Sequence, residues 1–135
     1  MKKYWIVLLI FLAVTKNIYS QHTLEIEIKG FRSDTGAVML QLLDGSKNMI
    51  RQDKGIIIDG NTLIIFNNLE PGKYAVRYYH DENLSENMET NSIGIPREGY
   101  GFSNDAYGFF GPRPFEDWLF ELKENKRISL KIKYH

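Results

Sequence analysis

Hydrophobic and polar residues alternate along this chain in short runs, with the period of a half-buried β-strand rather than of a helix. From Thr23 to Lys29, Leu24, Ile26 and Ile28 face one way while Glu25, Glu27 and Lys29 face the other. Val38, Leu40 and Leu42 form a second inward row, opposed by Ala37, Met39 and Gln41. Residues 44–54 read as a polar connection. Ile56-Ile57-Ile58 then runs into Asp59-Gly60-Asn61 and out through Leu63, Ile64, Ile65 and Phe66. Asp-Gly between two apolar, β-branched runs predicts a hairpin. Tyr74, Val76 and Tyr78 alternate with Ala75, Arg77 and Tyr79; Trp118, Phe120 and Leu122 alternate; and Ile128, Leu130, Ile132 and Tyr134 oppose Arg127, Ser129, Lys131 and Lys133. About seven strands, with Gly/Pro/Asn turns and no helical run of ten residues, predict an all-β fold, an antiparallel Ig-like or transthyretin-like sandwich. Parallel βαβ folds need crossover helices that the pattern lacks.

The segment Phe66-Asn-Asn-Leu69-Glu-Pro71-Gly72-Lys-Tyr74-Ala-Val76 is a turn with a folding role. Pro71 fixes φ at the first central position, Gly72 is expected to supply a positive φ at the second, and Phe66, Leu69, Tyr74 and Val76 then meet in the core. The pattern resembles the F-x-x-L-x-P-G-x-Y-x-V segment of transthyretin-like, carboxypeptidase-regulatory-like and collagen-adhesin B-type sandwich domains, a resemblance of fold that carries no activity.

Between His80 and Asp117 lie about 36 residues without periodicity, against a usual connection of roughly 4–6. Ile93, Ile95, Tyr100, Phe102, Tyr107, Phe109 and Phe110 give it more apolar weight than disordered sequence carries, so one long ordered loop over 81–115 is expected. In its first part Asp81, Asn83, Ser85, Asn87 and Glu89 place oxygen-bearing residues at alternate positions, the requirement of a calcium loop. Glu86 stands where such loops need glycine and Ser92 where a bidentate carboxylate closes the shell, so a polar loop capped by its own Asp and Asn is the competing reading. In the second part glycine alternates with aromatics. Tyr100, Phe102, Asn104, Tyr107, Phe109 and Phe110 are the candidate binding surface for a protein or a glycan, unless the rings tuck under the loop and cover the sandwich. A hydrolase would have to draw on Asp81, Glu89 or Glu98 with His80; Ser103 lies in no nucleophile-elbow pattern.

Composition narrows the chemistry. The chain has no cysteine, which excludes disulfides, a thiol nucleophile and cysteine zinc sites. Residues 1–20 read as a secretory signal peptide: basic Lys2 and Lys3, an apolar run Tyr4 to Val14 too short to span a bilayer, and Ser20 before Gln21. Export to the periplasm or beyond follows, with residues 21–135 as a single β-sandwich domain and no membrane span after cleavage. The whole chain carries 17 Lys+Arg and 17 Asp+Glu; loss of Lys2, Lys3 and Lys16 leaves 14 basic against 17 acidic residues, a net charge of −3. The remaining cations are scattered singly along strands, which disfavours nucleic acid as a partner. No cofactor is expected other than the calcium considered above.

The leading alternating strand, Leu69-x-Pro-Gly-x-Tyr-Ala-Val76, His80-Asp-Glu-Asn83, Gly94-Ile-Pro96, Glu98-Gly-Tyr-Gly-Phe-Ser-Asn104 and the final Ile-x-Leu-x-Ile-x-Tyr134 strand recur in this order in one family. Over residues 23–134 the chain resembles the bacterial secreted family called domain of unknown function 2141. Its members usually read Asn-Gly-Asn-Gly-Lys-Leu-Asp after His-Asp-Glu-Asn, where this chain has Leu84-Ser85-Glu86-Asn87-Met88-Glu89. The resemblance implies an exported sandwich and no established activity.

Overall fold

A computed structural model describes residues 20–135. The leader expected over residues 1–20 lies outside these residues except for Ser20. The strands and two apolar clusters of the described residues make a core of their own.

Among the described residues ten strands form, in chain order: β1 His22–Lys29, β2 Ala37–Asp44, β3 Met49–Gly55, β4 Asn61–Leu69, β5 Gly72–Asp81, β6 Tyr100–Phe102, β7 Tyr107–Gly108, β8 Gly111–Pro112, β9 Phe120–Leu122 and β10 Lys126–Lys131. One sheet has the order β10-β1-β4. The other has β3-β2-β5-β6, with β9 pairing the start of β5, and β7-β8 is a separate two-stranded hairpin. All pairings are antiparallel except β1 with β10, which run parallel from Leu24↔Lys126 to Lys29↔Lys131.

The alternation read from the sequence becomes the core. Leu24, Ile26 and Ile28 of β1, Val38, Leu40 and Leu42 of β2, Ile64 and Phe66 of β4, and Tyr74, Val76 and Tyr78 of β5 fill the space between the sheets. Ile26 is wholly buried, and its truncation to Ala would cost about 2–5 kcal/mol. The corner after β4 gathers Phe66, Leu69, Tyr74 and Val76 as expected, and the Tyr74 hydroxyl donates to the Glu70 carbonyl at 2.5 Å. Its left-handed residue is Asn68 (φ 58) and not Gly72, whose φ is not positive. The Arg51 guanidinium bonds the carbonyls of both Asn67 and Asn68, so the kink falls within the end of β4.

The Asp59-Gly60 turn also forms. Both residues have positive φ (51 and 74), Ile58 and Asn61 exchange hydrogen bonds across it, and the Asp34 carboxylate caps its two N–H groups at 2.9 and 2.8 Å. The run before it is not a strand: Ile57 is buried, Ile56 and Ile58 are exposed, and the chain here crosses from one sheet to the other. The strand lies earlier, at β3, in the residues read as a polar connection. β3 is an edge strand exposed from Met49 to Lys54, so no face of it needed apolar alternation. Trp118 likewise belongs to a short 3₁₀ turn, Phe115–Trp118, ahead of β9.

The long segment is ordered and lies on the outer face of the larger sheet. Ala106 and Trp118, with Phe102, Phe115 and Leu119 packed beside them, bury Leu43 of β2 and Ala75 of β5 in a second apolar cluster.

Candidate functional site

The segment after β5 is built around two buried carboxylates. Asp81, at the end of β5, is fully buried; its oxygens accept the N–H groups of Ser85 at 2.9 Å and Glu86 at 2.8 Å. Glu98, near the other end, accepts the N–H groups of Glu82 and Glu89, each at 3.2 Å. Burial holds the Glu98 carboxyl above its ordinary pKa, against the lowering effect of those two bonds. The turn between the acids takes left-handed backbone at Leu84 (φ 56) and Glu86 (φ 61).

The five calcium candidates thus share one loop, and their polar atoms are engaged with one another. The Asn83 amide donates to Glu89 at 2.6 Å while its oxygen accepts Ser85 N–H; the Ser85 hydroxyl donates to the Asn87 carbonyl, and the Asn87 amide to the Ser85 carbonyl. Protein N–H groups occupy both Asp81 oxygens. Among the described residues no three His, Asp or Glu side chains are grouped to hold a metal ion.

His80 is buried, with both ring nitrogens engaged. Nε2 lies 2.6 Å from the Thr35 carbonyl and so donates to it; Nδ1 lies 2.9 Å from the Tyr134 hydroxyl, which donates to it in the neutral ring. The Phe31 ring stands edge-on at 5.3 Å, and Arg32 stacks over Tyr134 while pairing with Glu82 at 2.6 Å. These contacts clasp the β1–β2 connection, β5 and the C-terminus together. Asp81 and Glu98 accept their backbone N–H groups beside this clasp, and the exposed Glu89 carboxylate accepts the Asn83 side-chain amide.

The aromatic candidates separate into two kinds. Tyr100 is buried, packed near Phe102 and Tyr107 and stacked on His135. Phe102 lies 4.3 Å from Trp118 in the second cluster. The Tyr107 hydroxyl bonds the Lys131 carbonyl at 2.7 Å, and burial raises its pKa. Asn104 reaches solvent, but its amide holds the Asp117 and Leu119 carbonyls. Phe109 and Phe110 stand apart: 91% and 95% exposed, they are the two central residues of the β7–β8 turn. Ser103, fully buried, joins the segment to the sheet by accepting Val76 N–H at 3.0 Å and donating to the Trp118 carbonyl at 2.5 Å.

A groove that no single stretch of sequence announces crosses the outer face of the larger sheet. Its volume is about 490 Å³. The floor comes from three strands: Met39 and Gln41 of β2, Gln52 of β3, Arg77 and Tyr79 of β5. Met88 and Glu86 wall one side and Phe102 contributes from β6. The Arg77 Nε–H bonds the Gln41 oxygen at 2.6 Å, which fixes the guanidinium. No carboxylate lies within 4.0 Å of Arg77 among the described residues. The signal for this site was the outward position of Arg77 and Tyr79 on an otherwise apolar strand.

The model of the family described as uncharacterized protein conserved in bacteria (DUF2141) matches residues 26–129. Neither the curated proteins nor the solved structures gave a match.

Proposed function

This chain belongs to the DUF2141 family, and from that premise we propose that it is an exported, non-catalytic binding module that holds a glycan chain in the groove between Met88 and Phe102. The observation that carries the reading is the convergence there of the Arg77 guanidinium, the Gln41 and Gln52 amides and the Tyr79 hydroxyl beside an aromatic ring and two methionines. Sugars present hydroxyl groups around their rim and C–H faces between, which matches side-chain donors flanked by apolar walls. The floor is a sheet face and not a sheet edge, so it offers an extended peptide no main-chain ladder; this favours a glycan over a protein strand. Support for a non-catalytic role comes from His80, Asp81 and Glu98, which are buried in hydrogen bonds that hold the backbone. The basic, apolar and polar order of residues 1–20 supports export, to the periplasm or outside the cell.

Residues 20–135, labelled with nitrogen-15, are titrated with neutral, N-acetylated and uronic-acid oligosaccharides at millimolar concentration. The expected result is saturable chemical-shift change at Gln41, Gln52, Arg77 and Tyr79 for at least one class, lost in Arg77→Ala. Absence of change at these residues with every class overturns the proposal.

A further inference from the structure

The geometry points to a second contact surface, independent of the groove: the β7–β8 tip inserts into the interface of a phospholipid bilayer. Two-residue turns favour Gly, Asn, Asp, Ser and Pro, whose backbone freedom or side-chain hydrogen bonds suit them to the bend. This turn has Phe109 and Phe110 at both central positions, flanked by Gly108 and Gly111. Their rings lie 4.6 Å apart, edge to face, and are otherwise almost wholly in water. The fold gains nothing from them, and such a break with local preference marks a functional position.

The shape of the tip selects its occupant. Two rings at the apex of a hairpin expose apolar area in several directions, so whatever covers them must close around a convex point. The boundary between headgroups and acyl chains does so without a preformed cavity, at a depth of roughly 5–10 Å. The residues behind the tip suit the headgroup layer. Tyr107 forms the stem, an amphipathic ring of the kind that settles at membrane interfaces. The Lys133 ammonium stands 5.3 Å from that ring, which brings one lysine beside the hairpin. Arg113 follows β8 directly, although it shares its charge with Asp117 at 2.8 Å. Cations one turn behind an apolar apex complement lipid phosphates. The net charge of −3 expected for residues 21–135 leaves the rings as the main source of affinity.

The test is flotation of residues 20–135 with phosphatidylcholine vesicles and with vesicles that also contain phosphatidylglycerol. Binding to both is expected, stronger to the second. The double variant Phe109→Ser/Phe110→Ser is expected to partition roughly a hundredfold more weakly to both, from the apolar area removed. Its far-UV spectrum and melting temperature stay at the parent values because the rings support no other residue. Failure of the parent to float, or flotation of the double variant equal to the parent, overturns the inference. So does sedimentation without vesicles that shows a dimer abolished by the double variant, since the tip would then join two copies of the chain.

Discussion

Replacing Leu84 by glycine is expected to stabilise the protein, although it deletes a hydrophobic side chain. Leu84 holds φ at 56, where a Cβ crowds the neighbouring carbonyl at a cost of about 1–2 kcal/mol. Its side chain is 58% exposed, so little packing is lost on removal. Glycine removes the crowding but gives the unfolded chain more freedom, an offset of about 0.5–1 kcal/mol. The net gain is about 0.5–1 kcal/mol. For roughly 115 residues the unfolding entropy is about 0.24 kcal/mol per degree, so the melting temperature should rise by about 2–4 °C. Thermal unfolding followed by circular dichroism reads the shift, and urea titration confirms that the m-value is unchanged. Leu84→Ala is the control: it keeps the Cβ and the crowding, and should shift melting by less than a degree or so. If Leu84→Gly melts at or below Leu84→Ala, left-handed strain at this turn is refuted. Leu84 and Glu86 are the two left-handed positions of this turn. Both sites require left-handed backbone for Asp81 to collect the N–H groups of residues 85 and 86.

Calcium should not move the melting temperature of residues 20–135 relative to EDTA, because the Asp81 oxygens are already engaged by protein N–H groups; a rise of several degrees would show that they exchange these for a cation. Glu98→Gln replaces one acceptor oxygen by an amide nitrogen and should cost about 1 kcal/mol at neutral pH. It should also flatten the acid side of the stability profile. Because the folded-state pKa of Glu98 lies above its ordinary 4.5, the folded protein takes up that proton first as pH falls. The parent therefore gains stability through the folded-state pKa down to the unfolded one, and urea titrations from pH 7 to 4 should show that increment in the parent and not in the variant. Ser103→Ala leaves Val76 N–H and the Trp118 carbonyl unpaired in a fully buried place, and should cost about 2–3 kcal/mol in urea unfolding.

The strands with one buried face were legible because burial imposed a period of two on their side chains: Leu24, Ile26 and Ile28, or Val38, Leu40 and Leu42, read directly as core. β3 was not, since an exposed edge strand is held by its ladder with β2 and its side chains answer to solvent. That the aromatic segment packs was legible in its composition. Where it packs was not: the surface it covers consists of Leu43 and Ala75, one residue from each of two strands, on the face that alternation assigned to water. The groove was hidden for the same reason. Gln41, Gln52 and Arg77 are far apart in the chain and ordinary on their own strands; only the β3-β2-β5 register sets them side by side.

The parallel pairing of β1 with β10 ties the two ends of the described chain into one sheet, with β1 in the middle of it. Synthesis and folding are therefore out of step. β1 is made before the other described strands, yet one of its two neighbours does not exist until about a hundred residues later, when Lys126 to Lys131 have emerged. Contacts of such long range close slowly, and they close last. Until then the fully buried Leu24, Ile26 and Ile28 have only β4 beside them, and the smaller sheet is a two-stranded ribbon. For a chain that crosses a membrane in extended form, as the proposed export requires, this order of events is an asset: a domain that cannot lock before its last strand arrives remains threadable until its synthesis is complete.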